Sequence, residues 1–332
     1  MAVKTATAVR VDPFFVIGYK RSGTTMTRLM LNAHPDLAVP PESEYFLRIP
    51  QAIGNRRHGA DDLEKLTRRI SQLPRSNFKN QLDEDAVRDA LHAVLPADTP
   101  TIVACLYQQW ATIIGKPHAR WGDKKPHHWQ YIYKLSSLYP ASQYIHIMRD
   151  PRDVVASVEE HFPEQVRGRG VLPSHIITAW QWRLANLETL RCGESLGPER
   201  YMRARYEDTV SEPEQHARNF CDFLNVDFND AMLEFHQSAS DPRIEGAKTS
   251  SGPHQNTTRQ VHTERIGRSQ SSLEPAALAD IEFIAGDLFA RFGWDRQHDV
   301  TRSRGVYLRG VCTALNQAWN VLRASRRLRG GY

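Results

Sequence analysis

The chain has 332 residues, 40% of them hydrophobic, and its 43 basic against 38 acidic side chains give a formal net charge of +5. That length and apolar content suffice for one large core, while so mild a basic excess argues against a nucleic-acid partner and suits a small polyanionic ligand. Cys105, Cys192, Cys221 and Cys312 lie far apart with no CxxC pair, which supports neither a zinc ribbon nor a disulfide framework and points to a reducing compartment.

The opening segment MAVKTATAVRVDPFF has no long apolar core of the secretory kind. No stretch approaches the ~20 apolar residues of a membrane span, so a cytoplasmic location is expected. Residues 14–18, FFVIG, form a compact run of β-formers and read as a buried parallel strand. KRSGTT follows, then a helix with Met26, Leu29 and Met30 at helical spacing, stopped by His34-Pro35. Residues 50–118 are helical and charged and read as an insertion. A second apolar strand, 143–148, runs into Arg149-Asp150-Pro151, where Asp150 can cap the next helix and Pro151 takes its first position. A helix over 174–190, a third parallel strand over 200–206 followed by Glu207-Asp208, and helices near 212–224 and 274–291 complete the alternation. Residues 240–270 are rich in Ser, Gly, Thr, Arg and His, which marks either a segment without fixed structure or a loop that covers a ligand. The tail from 301 carries seven arginines and no acid. Such a tail is first of all a solvated face, but its leucines and tryptophan allow peripheral contact with a membrane, and its apolar residues permit a homodimer. The expected fold is a three-layer α/β domain over 1–300 with a P-loop-like, mostly parallel central sheet, followed by a basic helical tail over 301–332.

A strand that ends in a glycine loop and opens a helix offers a row of backbone N–H groups and the positive helix end to an anion. The loop residues are Gly18, Tyr19, Lys20, Arg21, Ser22, Gly23, Thr24 and Thr25. The two glycines have the spacing of a Walker A loop, but Thr24 stands where that motif needs lysine, and the basic residues have moved upstream to Lys20 and Arg21. Amides, hydroxyls and a guanidinium can then hold phosphate or sulfate with no need for magnesium. The adjacent His127 and His128 lack the i,i+4 spacing of a zinc site, and no metal is expected.

The run FFVIGYKRSGTTMTRLMLNAHPDLAVPPE resembles the 5′-phosphosulfate-binding region of sulfotransferases, tyrosylprotein sulfotransferase and its bacterial relatives above all. YIHIMRDPRDVVASV resembles their 3′-phosphate-binding segment, with Arg149 at the strand end and Ser157 eight residues on. In RARYEDTV the resemblance implies that Tyr206 also reaches the 3′-phosphate. WGDKKPHH is similar to the family's Lys-Thr-Pro element, with Lys124 in the lysine position and Lys125 a departure that leaves two candidates for the inward lysine. ERIGRS resembles the segment that closes over the nucleotide, through Arg265 and Arg268.

These resemblances imply transfer of a sulfuryl group from 3′-phosphoadenosine-5′-phosphosulfate to a hydroxyl. Glu42 is then the expected general base, with Glu44 close enough to be confused with it and His128 as the other candidate. Lys124 and Arg21 would stabilise charge on the transferring group and the bridging oxygen. Residues 50–118 and 162–173 are expected to line the acceptor pocket. The preferred acceptor is a small metabolite, a glycan or a glycolipid. The rival readings are a nucleotide-dependent kinase, which lacks its Walker lysine, and a nucleotide-binding protein without catalysis, which would have no use for Glu42 and Lys124.

Overall fold

The computed structural model describes residues 11–43, 45–73, 82–162, 172–238, 241–245 and 259–328. The apolar run after Pro13 is β1 (Phe14–Ile17), all of it buried. It feeds α1 (Thr24–Ala33) through the glycine loop, and a two-residue strand β2 (Leu37–Ala38) follows. Four helices come next: α2 (Tyr45–Ile53), α3 (Leu63–Ser71), α4 (Glu84–Val94) and α5 (Thr99–Ile113). Among them the short strands β3 (Arg57–His58) and β4 (Ala97–Asp98) pair antiparallel. The chain re-enters the sheet as β5 (Arg120–Lys124), and after α6 (Ile132–Leu138) as β6 (Gln143–Met148). The next elements are α7 (Pro151–His161), α8 (Ser174–Leu196), β7 (Tyr201–Arg205), α9 (Tyr206–Ser211) and α10 (Pro213–Leu224).

The main sheet has the order β2-β5-β1-β6-β7, and every pairing in it is parallel. Helices cover both faces, as a parallel sheet requires. On one face Phe15, Ile17 and Tyr144 pack with α2, α5 and Trp182 of α8; on the other Phe14, Val16, Ile145 and Ile147 pack with α1 and α10. The expected α/β class with a mostly parallel sheet is thus the observed one.

Two expected elements differ in outline. The helix expected over 274–291 is two, α11 (Pro275–Ala285) and α12 (Asp287–Arg291), because Gly286 adopts φ 63° and turns the chain between them. β5 was not anticipated as a strand, since three of its five residues are charged; all five are buried. The last helix, α13 (Arg302–Leu328), lays Leu308 and Trp319 toward the body, with Trp319 5.5 Å from Trp129 between ring centroids.

Candidate functional site

The carboxyl ends of β1, β5, β6 and β7 open into one cavity of about 590 Å³. In a parallel α/β sheet this is where strand ends and helix N-termini face a ligand together. Its wall includes Lys20, Arg21, Gly23, Thr24 and Thr25 from the loop, Glu42, Arg149, Ser157, Tyr206, and Arg259 to His262 with Arg265 from the far side.

The loop's shape is set by two residues in the left-handed region, Arg21 at φ 68° and Gly23 at φ 90°. Gly23 is required twice over, since a Cβ there would lie 2.4 Å from Cδ2 of Tyr206. A non-glycine residue held at positive φ stores strain that surrounding contacts must fix. For Arg21 those contacts are its Nε donating to Ser157 Oγ at 2.9 Å and its carbonyl accepting from Arg149 Nη1 at 3.1 Å. Thr24 begins α1 with no side-chain cap before it and no acid in the first turn, so the first amides of the helix face the cavity end with their dipole uncompensated.

Arg149 is 6% exposed. Its guanidinium stacks 4.4 Å from the Tyr206 ring centroid and donates to the carbonyl of Arg265 at 2.6 Å, while its Nε is buried with no hydrogen-bond partner. Burial lowers the Arg21 guanidinium to about 10, and the nearby charges of Arg149 and Arg265 push the same way. Crowded guanidiniums, an orphaned buried N–H and an uncapped helix end together fit a polyanionic nucleotide. Lys20 lies over the rings of Tyr19 and Phe162, and burial depresses its ammonium as well.

At the β5 side, Lys124 Nζ donates to Glu42 Oε1 at 2.6 Å and to Thr25 Oγ1 at 3.1 Å. Lys124 is buried and Glu42 is 39% exposed at the cavity wall. Burial pushes the lysine down, against the opposing pull of Glu42. Lys124 itself is not on the cavity wall; it joins loop to carboxylate from behind, whereas Lys125 lies on the wall. Glu44 lies outside the described residues.

His128 is a correction. It is 1% exposed and is not on the cavity wall; its Nε2 lies 2.8 Å from Asp123 Oδ1 and its ring stands edge-on to Phe46. Neither a surface histidine nor a base facing an acceptor, it serves a buried network. Asp123 Oδ2 accepts from Ser43 Oγ at 2.7 Å and from Tyr107 OH at 2.5 Å. Because Ser43 follows Glu42 and Asp123 precedes Lys124, this carboxylate ties the two segments that carry the ion pair. The sequence reading missed Asp123, Ser43 and Tyr107; the only signal was an acid beside Lys124.

On the far side, the carboxylate of Asp153 accepts from the amides of Gly267 at 2.8 Å and Ser269 at 2.9 Å, which holds the 265–269 turn to α7. Arg265 reaches the wall, whereas Arg268 does not and pairs with Glu160 at 2.7 Å. Ser22 is buried behind the loop with its Oγ unpartnered. The expected contribution from 50–118 is also corrected. Among the described residues the wall takes none from that stretch, whose helices pack on the sheet instead. Of 162–173, Phe162 lines the cavity and 163–171 lie outside the described residues.

Comparison with known proteins agrees with this geometry. The sulfotransferase family model matches residues 13–230. Protein-tyrosine sulfotransferase A of Caenorhabditis elegans is 22% identical over 289 residues, covering 86% of this chain and 68% of that protein. Protein-tyrosine sulfotransferase 2 of Gallus gallus is 25% identical over 285 residues, covering 85% and 69%. Among solved structures, the sulfotransferase domain from the Synechococcus PCC 7002 olefin synthase matches with TM-score 0.58 at 24% identity, over 86% of this chain and 96% of that one. The sulfotransferase domain from the curacin biosynthetic pathway matches with TM-score 0.59 at 22% identity, over 86% and 99%. From its matched region and from the fold it shares with these domains, the chain belongs to the sulfotransferase family.

Proposed function

We propose that the chain carries a sulfuryl group from 3′-phosphoadenosine-5′-phosphosulfate, the donor this family generally uses, to a hydroxyl of a small metabolite, glycan or glycolipid, with Glu42 as general base. The observation that carries this reading is the buried Lys124 ammonium, bonded at once to Glu42 and to Thr25 of the anion loop. One charge there answers both to the carboxylate that would take a proton and to the loop that would hold the donor.

The donor supplies the sulfuryl group, and its phosphate leaves with the bonding electron pair. Lys20, Arg21, Thr24, Thr25 and the first amides of α1 would hold the 5′ side, and Arg149, Ser157 and Tyr206 the 3′-phosphate. Glu42 accepts the acceptor's hydroxyl proton. Once neutral, it no longer balances Lys124, whose positive charge is then directed at the oxygen gaining negative charge. Arg21, fixed by Ser157, adds a second cation without reorganisation. The cavity's size falls in the small-ligand range of roughly 300–1,000 Å³, as a nucleotide donor requires.

The test is transfer of radiolabelled sulfur from the donor to a panel of sugars, glycolipids, small phenols and tyrosyl peptides. The expected result is product on a small or glycan hydroxyl, with Glu42→Gln lowering turnover by about 10²–10⁴-fold. Product on tyrosyl peptides alone would overturn the acceptor class, and full turnover in Glu42→Gln would overturn the base.

A further inference from the structure

Residues 302–332 contain seven of the chain's 43 basic residues and no acid, which leaves 36 basic against 38 acidic residues elsewhere. Six of the seven lie in α13, and without those six the molecule has 37 basic against 38 acidic residues, so its positive excess sits on this helix. One face of this helix is committed to the body: Leu308 is fully buried, and Val311, Cys312, Leu315 and Trp319 pack with Trp180, Ile281 and Ile284. Arg304 is engaged by Asp280.

The opposite face is different. Val306, Gly310, Ala314, Gln317 and Val321 succeed one another at three- or four-residue spacing and are all exposed, Val306 at 58% and Val321 at 69%. Arg302 and Arg309 are exposed on the same helix, and Arg323, Arg326 and Arg327 follow along it. A face of small and apolar residues with one glutamine, flanked by arginine and without a single acid, suits the boundary between lipid headgroups and acyl chains. Among the described residues no helix is long and apolar enough to cross a membrane, so this one would lie on the surface.

We propose that the outer face of α13 docks the protein on an anionic lipid bilayer. Charge decides between the candidate occupants. A second copy would bring another acid-free arginine helix against this one, and like charges at close range oppose that contact. A surface of phosphate headgroups complements the exposed Arg302 and Arg309 and lets Val306 and Val321 leave water. The inference does not depend on which hydroxyl is sulfated.

The experiment is vesicle flotation of the full chain on pure phosphatidylcholine and on equal parts phosphatidylcholine and phosphatidylglycerol. Wild type should float with the mixed vesicles only, and less as salt rises. The combined Arg302→Gln, Arg309→Gln and Arg323→Gln variant should bind about a hundredfold more weakly, and Val321→Glu roughly tenfold more weakly. Both variants should bind 3′-phosphoadenosine-5′-phosphate as wild type does, which separates lost docking from lost folding or a failed donor site. Equal flotation on both vesicles, none on either, or a dimer in sedimentation that Val321→Glu dissolves would overturn the proposal.

Discussion

The two walls of the cavity are built to different standards. The donor wall stands on strand ends and on α7: Arg149, Ser157 and Tyr206 are each under 10% exposed and bonded to, or stacked on, one another or the loop. The covering wall, Arg259 to His262 with Arg265, is anchored just beyond its end, where the amides of Gly267 and Ser269 donate to Asp153 and the arginines Arg265 and Arg268 pair with Glu160. Groups fixed before a ligand arrives lose little freedom when it binds, so rigidity on the donor wall favours affinity and alignment. The covering wall can part and close at smaller cost.

After Glu42→Gln, the largest effect should come from Lys124, behind the donor loop. Lys124→Ala should lower turnover by about 10²–10³-fold and change affinity for 3′-phosphoadenosine-5′-phosphate by less than roughly tenfold. Turnover and calorimetry on one preparation check this; an equal loss in both would make Lys124 a donor-binding group instead.

A pH effect follows from Glu207, which burial pushes up to about 7. One oxygen accepts from the Asp150 amide at 2.8 Å and the other is buried without a hydrogen bond. Since the folded state holds this proton more tightly than the unfolded state, its stabilising contribution is complete below about pH 4.5 and is lost as pH rises to about 7. Relative to Glu207→Gln, wild type should lose about 3 kcal/mol across that window, measured by denaturant unfolding at each pH. A constant difference would mean that the carboxyl stays charged and the strand end beneath Tyr206 is wetter than described.

Gly23→Ala should destabilise by about 1–2 kcal/mol from backbone strain alone and displace Tyr206, so both melting temperature and nucleotide affinity fall. Unchanged affinity would show that the loop is not rigid. The smallest effect belongs to the turn that anchors the covering wall: Arg268, 38% exposed and paired with Glu160, should change nucleotide affinity less than about threefold when replaced by alanine. A tenfold loss would erase the contrast between the walls.

The same contrast governs what the sequence reveals. β1 is a continuous apolar run and β6 a largely apolar one, and both could be read directly, as could the glycine loop between β1 and α1 and the Asp150 cap, whose carboxylate accepts from the Arg152 amide at 2.8 Å. β5 could not be read, because its charges are satisfied mostly by distant partners: Arg120 by Gln143 and the Leu224 carbonyl, Asp123 by Tyr107 and Ser43. Local pattern carries no trace of such long-range bonds. The packing of α2 to α5 away from the cavity, the inward turn of His128 and the grip of Asp153 on the 265–269 turn are likewise tertiary facts. The donor wall is assembled from short segments each legible by itself, and the rest of the site is not.

The most direct measurement is calorimetric titration of 3′-phosphoadenosine-5′-phosphate into wild type and Arg149→Ala, with and without magnesium and with ATP as competitor. A preformed bisphosphate site predicts tight binding that magnesium does not alter and ATP does not displace, weakened about a hundredfold by the substitution. Binding that requires magnesium, favours ATP or ignores Arg149 would contradict it.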